Sequence, residues 1–147
     1  MLLIPENSNP LTHPYAQIWA RFIAMLLDSI LMALVTLVIM LLLGMKMPNM
    51  DDPETRLQLN LTSMVLGWVY YSFMESSTYQ ATFGKQVMGL FVTDMQGQRL
   101  SFGKASARYF GRLLSGLTFL VGYLVAFFTA KKQSLHDLLA GTLVFKH

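Results

Sequence analysis

Residues 22–45 read FIAMLLDSILMALVTLVIMLLLGM, a run broken only by Asp28, Ser29, Thr36 and Gly44. As a helix rising 1.5 Å per residue, these 24 positions extend roughly 36 Å, more than the ~30 Å hydrocarbon core of a bilayer. The run predicts a spanning helix, and the rest of the chain is read outward from it. On its N-terminal side lie Arg21 and a segment with Pro5, Pro10 and Pro14. No Lys or Arg precedes Arg21, so the run lacks the charged start of a cleaved signal peptide. Residues 1–15 are expected to form an irregular leader and residues 16–147 a single membrane domain.

The whole chain has the same bias. Of its 147 residues 54% are hydrophobic and only 13% charged, whereas a soluble domain is about a quarter charged. There is no cysteine, which excludes disulfides, thiolate metal sites and cysteine nucleophiles. The net charge of +3 does not point to nucleic acid, because the basic residues flank apolar blocks. In that position they set topology and meet anionic lipid headgroups.

Residues 46–60 contain Pro48 and Pro53 with three acids and read as a loop. A second apolar block, 61–81, carries Trp68, Tyr70, Tyr71 and Tyr79, with Glu75 inside it. It is the second expected span, with aromatics suited to an interface. Residues 87–93 are β-prone, Asp94-Met95-Gln96-Gly97 has turn chemistry, and residues 99–102 resume, a pattern that predicts a small hairpin. Ser101 is placed to cap a helix on which Lys104, Arg108 and Arg112 recur every four residues. That stripe predicts an amphipathic helix with its basic face at the headgroups. The third apolar block, 113–130, is just long enough to span but contains Gly116 and Gly122.

Basic residues arbitrate, since the cytoplasmic side holds their excess. Three spans divide the eleven Lys and Arg six against five; a re-entrant third block divides them nine against two. The expected fold is therefore all-α, with two transmembrane helices plus a re-entrant or, less in keeping with the charges, third membrane helix. A short cytoplasmic β-hairpin completes it, and both termini lie on the cytoplasmic face of the cell membrane.

Arg21 and Asp28, two turns apart, share a helix face, and Glu75 lies at a comparable depth in an antiparallel second span. Ionisable groups there cost several kcal/mol unless paired, protonated or hydrated, so they are candidate functional residues. A buried cluster that fixes helix rotation accounts for them equally well.

The run Ala20-Arg21-Phe22-Ile23-Ala24-Met25-Leu26-Leu27-Asp28 resembles the opening of the RDD family of membrane proteins, named for one arginine and two aspartates. Later stretches fit in order: Glu75-Ser76, Gln80-Ala81-Thr82-Phe83-Gly84-Lys85, Gly89-Leu90 with Val92 and Asp94, then Gln133-Ser134-Leu135-His136-Asp137-Leu138-Leu139-Ala140-Gly141-Thr142. The resemblance covers residues 16–145 and matches Arg21, Asp28 and Asp137 to the name-giving positions. It departs at Phe83, where a proline would be expected before Gly84-Lys85. It implies a small multi-pass membrane protein, with proton or cation transport suspected for some members.

Other motifs carry less. Gly84-Lys85 lacks the preceding glycine and following hydroxyl of a phosphate loop. His136-Asp137 has no nucleophile at a recognisable spacing, and a structural hydrogen bond is the expectation there. No set of residues has zinc-site spacing, and the methionines of residues 45–50 are apolar fillers more readily than Cu(I) ligands. Asn60-Leu61-Thr62 matches a glycosylation acceptor but abuts the membrane. No enzyme, metal or cofactor is expected. Two readings remain: a structural or accessory membrane module held by Arg21, Asp28, Glu75 and Asp137, or a transporter subunit using Asp28 and Glu75. The second requires a homo-oligomer packed through small residues such as Gly67, Ser72, Ser76 and Gly111; the first fits a homo-oligomer or a larger membrane partner.

Overall fold

The computed structural model describes residues 10–42, 51–117 and 121–147. The methionine-rich run at 45–50 and most of the leader lie outside the described residues. Helix α1 spans Ile18–Leu42, and among the described residues it is the one helix long and apolar enough to cross a membrane. Its hydroxyls do not break it, because Ser29 and Thr36 each donate to the carbonyl four residues back at 2.8 Å. From Ile30 onward its large side chains, Leu34, Val38 and Leu41 among them, point outward.

Helix α2, Pro53–Ser76, starts inside the stretch read as loop. The reason is local: Asp52 caps the helix by accepting from the Thr55 N–H at 2.9 Å, and Pro53 occupies the first turn. Proline's fixed φ and missing N–H are compatible with that position. The helix stops at Ser76, and Gln80, at φ +50°, turns the chain back. A short helix α3, Phe83–Val87, follows.

The expected hairpin is not formed. Strand β1, Leu90–Asp94, pairs antiparallel with the C-terminal strand β2, Thr142–Lys146, in the register Leu90↔Lys146, Val92↔Val144 and Asp94↔Thr142. The turn chemistry is real: the Asp94 carboxylate accepts from the N–H groups of Gln96 and Gln98. It leads, however, into α4, Phe102–Leu117, rather than a returning strand. Val144, buried among Ala20, Ala24 and Val92, offers β1 a partner that sheds water, which residues 99–102 cannot match.

The third apolar block is divided between the end of α4 and α5, Val121–Phe128, which packs back against α4. Helix α6, Leu135–Ala140, packs on α4 and ends at Gly141, whose φ of +61° forms a left-handed cap that releases the chain into β2. The other edge of β2 meets the segment before α1, through Ala16 N–H to Val144 O and Lys146 N–H to Pro14 O, both at 2.9 Å. The tail is thereby fastened to the start of the first helix. Ala16, Ala20 and Ala24, spaced by four, form the small-residue stripe on which this core closes.

Candidate functional site

Two polar knots occupy the end of the molecule where α1 begins. The first is built on Asp28, which continues the alanine stripe one turn further and is buried. Its carboxylate accepts from Thr82 Oγ1 at 2.6 Å, the Gly84 N–H at 2.8 Å and Tyr70 Oη at 3.0 Å. Gly84 is required by proximity: a Cβ there would lie 2.1 Å from the Ala24 carbonyl oxygen. Tyr70 Oη in turn accepts from the Phe83 N–H at 3.0 Å. That bond gives the departure at Phe83 a physical meaning, since proline in its place has no N–H to donate.

The second knot is an ion network. Glu75, at the end of α2, accepts from Lys85, from Arg108 Nη1 at 3.0 Å and from Arg112 Nη2 at 3.2 Å. Asp137, on α6, accepts from Arg21 Nη1 at 2.6 Å and from Arg108 Nη2 and Nε at 2.7 and 2.9 Å. The Ser134 N–H completes its shell at 3.1 Å. Arg108 is the hinge between the two acids, with a side chain only 2% exposed. Arg112 also lies over the Tyr71 ring, 4.3 Å from its centroid, a cation–π contact.

The adjacent residues Gly84 and Lys85 join the knots, one donating to Asp28 and the other to Glu75. Arg21 and Asp28, expected to share a face, divide their work: Arg21 reaches Asp137 and Asp28 receives α3. The network ties together α1, α2, α3, α4 and α6.

Electrostatics follow from this crowding. Burial works against the charged form of Asp137, but Arg108 and Arg21 outweigh it and hold the carboxyl well below the usual range. Burial lowers Lys85 to about 8 despite the pull of Glu75, with Arg108 and Arg112 adding repulsion. His136 Nε2 lies 3.6 Å from Asp137. Burial and the nearby cations nevertheless push His136 down to about 3, so it is neutral at physiological pH and this contact is no ion pair.

Lys85, Arg108 and Arg112 were not singled out in the sequence as network members, and the reading of the α4 stripe requires correction. Lys104 does face outward, 3.5 Å from Asp94. Arg108 and Arg112 turn inward, while Phe102, Phe110 and Leu114 are exposed. An amphipathic helix in water hides its apolar face alone; here Arg108 and Arg112 are packed together with Ala105 and Tyr109. The signal available was an imbalance among the charges at depth, three acids (Asp28, Glu75 and Asp137) against the single cation Arg21.

The small residues proposed for oligomer packing are also used within the chain. A Cβ on Gly67 would sit 2.7 Å from Tyr109 Oη, and one on Gly111 3.2 Å from His136 Cβ. Ser72 is buried and accepts from Ser106 at 3.3 Å.

The RDD family model matches residues 15–141, most of the chain and all of the residues that build both knots. The chain belongs to the RDD family. It is 31% identical to the uncharacterized protein YxaI of Bacillus subtilis over 145 residues, covering 88% of this chain and 95% of that protein. It is also 31% identical to the uncharacterized membrane protein YteJ of the same organism over 144 residues, covering 95% of this chain and 86% of the relative. No solved structure matches the chain. Of the residues matched to the family's name, Arg21 and Asp137 form one ion pair and Asp28 anchors the neighbouring knot.

Proposed function

We propose that this RDD protein is a multi-pass module of the cell membrane with a structural or accessory role, locked at one face by its buried charges. The observation that carries the reading is the engagement of every acid at depth. Glu75 is held by three cations and Asp28 by three donors, so neither is left as a vacant proton or cation ligand. A role in binding or assembly suits this better than catalysis.

In this reading α1 is one span and the less apolar α2, long enough but carrying more polar residues, is the second, with α4–α5 as a re-entrant pair. The Arg21–Asp137 pair supports a tail that returns to the face where α1 begins, and the basic-residue count favours the cytoplasm for that face. The bilayer and its anionic headgroups are the immediate partner, and the outward apolar side chains of α1 and α2 suit lipid, a second copy or a larger membrane protein.

The transporter alternative, an oligomer using Asp28 and Glu75, makes a different prediction. Purified protein in proteoliposomes is expected to show no flux under proton, sodium, potassium or lithium gradients, and Asp28→Asn to lower stability instead. Flux abolished by Asp28→Asn in a protein that still folds would overturn the structural reading.

A further inference from the structure

Between α1 and α5 lies a cavity of about 680 Å³. Trp19, Phe22 and Phe127 form its apolar wall, and all three are more than half exposed. Its floor is the ion network: Arg21, Lys85, Arg108 and Arg112 line it, with Lys132 beside them. These five cations face three carboxylates, Asp28 in the lining and Glu75 and Asp137 behind the arginines. Counting all three as charged still leaves two positive charges in excess at this site among the described residues, one of them on Lys132 at the exposed rim. The other sits among side chains largely withdrawn from water, where uncompensated charge is costly.

Two further features belong to residues that line the same space. Arg21 Nε is a buried donor with no hydrogen-bond acceptor. Lys132 adopts a left-handed backbone, φ +50°, an unfavourable conformation for a non-glycine residue that tends to persist where a site holds it. Its Nζ contacts only Gln17, at 3.4 Å, among the described hydrogen bonds.

We propose that this cavity binds the phosphate headgroup of one anionic phospholipid, with its acyl chains lying along the aromatic wall. A soluble phosphate would satisfy the charge but leave Trp19, Phe22 and Phe127 against water. A zwitterionic lipid would satisfy the wall but bring its own cation to a floor already too positive. An anionic lipid meets both requirements, and Arg21, at the start of the first span, stands at headgroup depth. The inference rests on the membrane reading above and adds a ligand to its charged lock.

The test is native mass spectrometry of the full chain in neutral detergent, titrated with phosphatidylglycerol or phosphatidylcholine of the same acyl chains. One phosphatidylglycerol should be retained at a concentration at least about tenfold lower than phosphatidylcholine needs. Lys132→Gln removes a cation that lies outside the buried ion pairs and should weaken retention about fivefold. Lys104→Gln, on the exposed side of α4, should leave it unchanged, with the thermal transition of both variants retained. Equal retention of the two lipids, or equal loss from both variants, would overturn the site. Displacement of phosphatidylglycerol by millimolar inorganic phosphate would assign the cavity to a soluble phosphate and overturn the lipid. Retention is read without ion gradients, so failure here leaves the flux result and the structural reading untouched.

Discussion

Arg108 shows most clearly how this molecule uses charge. Its guanidinium donates to Glu75 and Asp137 at once while almost wholly buried. Removing one partner from such a pair leaves an uncompensated charge, a loss of about 3–5 kcal/mol. Arg108→Met is therefore expected to abolish a cooperative thermal transition in detergent, whereas Lys104→Met should shift it little. Gly84 makes a steric prediction of similar directness. With the Ala24 carbonyl oxygen 2.1 Å from any added Cβ, Gly84→Ala must push α3 from α1 and stretch the bond to Asp28. A loss of about 1–3 kcal/mol is expected from such overpacking, read as a lowered midpoint of thermal unfolding. The pH dependence has a defined sign. His136 has a folded pKa of about 3 against an ordinary 6.5. Between those values the unfolded chain binds the extra proton, so stability falls as pH drops below about 6.5. By pH 5 the loss is on the order of 2 kcal/mol. Asp137 adds to it only below its ordinary value near 3.8. Apparent midpoints measured from pH 7 to 5 should decline, and His136→Gln should flatten the decline; a rise on acidification would contradict a buried neutral imidazole.

At the scale of elements, what was legible in the sequence depended on whether the signal was local. The apolar run of α1, the capping role of Ser101 and the turn at Asp94 are all written in neighbouring residues, and each is present. The partner of β1 was not legible, because Thr142–Lys146 lies about fifty residues away and nothing in 87–93 distinguishes it from the nearer segment. The start of α2 is not legible because proline serves equally as a breaker and as a first-turn residue. The α4 stripe was assigned to the wrong side because its spacing fixes a face but not what that face meets. Arg21, Asp28, Glu75 and Asp137 stood out as charges in apolar surroundings, whereas their partners Lys85, Arg108 and Arg112 lay in polar sequence and carried no such mark. The β1–β2 pair also yields a prediction. Truncation after Gly141 removes the strand that faces Phe91 and Thr93 and fastens the tail to Ala16, while Val92 keeps its bond to the Gln80 carbonyl. The amides of Phe91 and Thr93 are expected to lose hydrogen-exchange protection in that variant, and undiminished protection at those two positions would contradict the pairing with β2.

For the molecule as a whole, the ion network and the sheet make one claim about topology: the start of α1 and the C-terminal tail share a face. Arg21 pairs with Asp137, and Ala16 bonds to Val144. With α1 and α2 both taken as spans, as proposed, these contacts hold only if the third apolar block returns to the side it left. The chain has no cysteine, so single cysteines at positions 49, 97 and 147 can each be probed in intact cells with a membrane-impermeant thiol reagent. Labelling from outside is expected at position 49 alone, with positions 97 and 147 reacting only after the membrane is opened. Labelling of position 147 from outside would place the tail a bilayer away from Arg21, and contradict both the network and the membrane lock built on it.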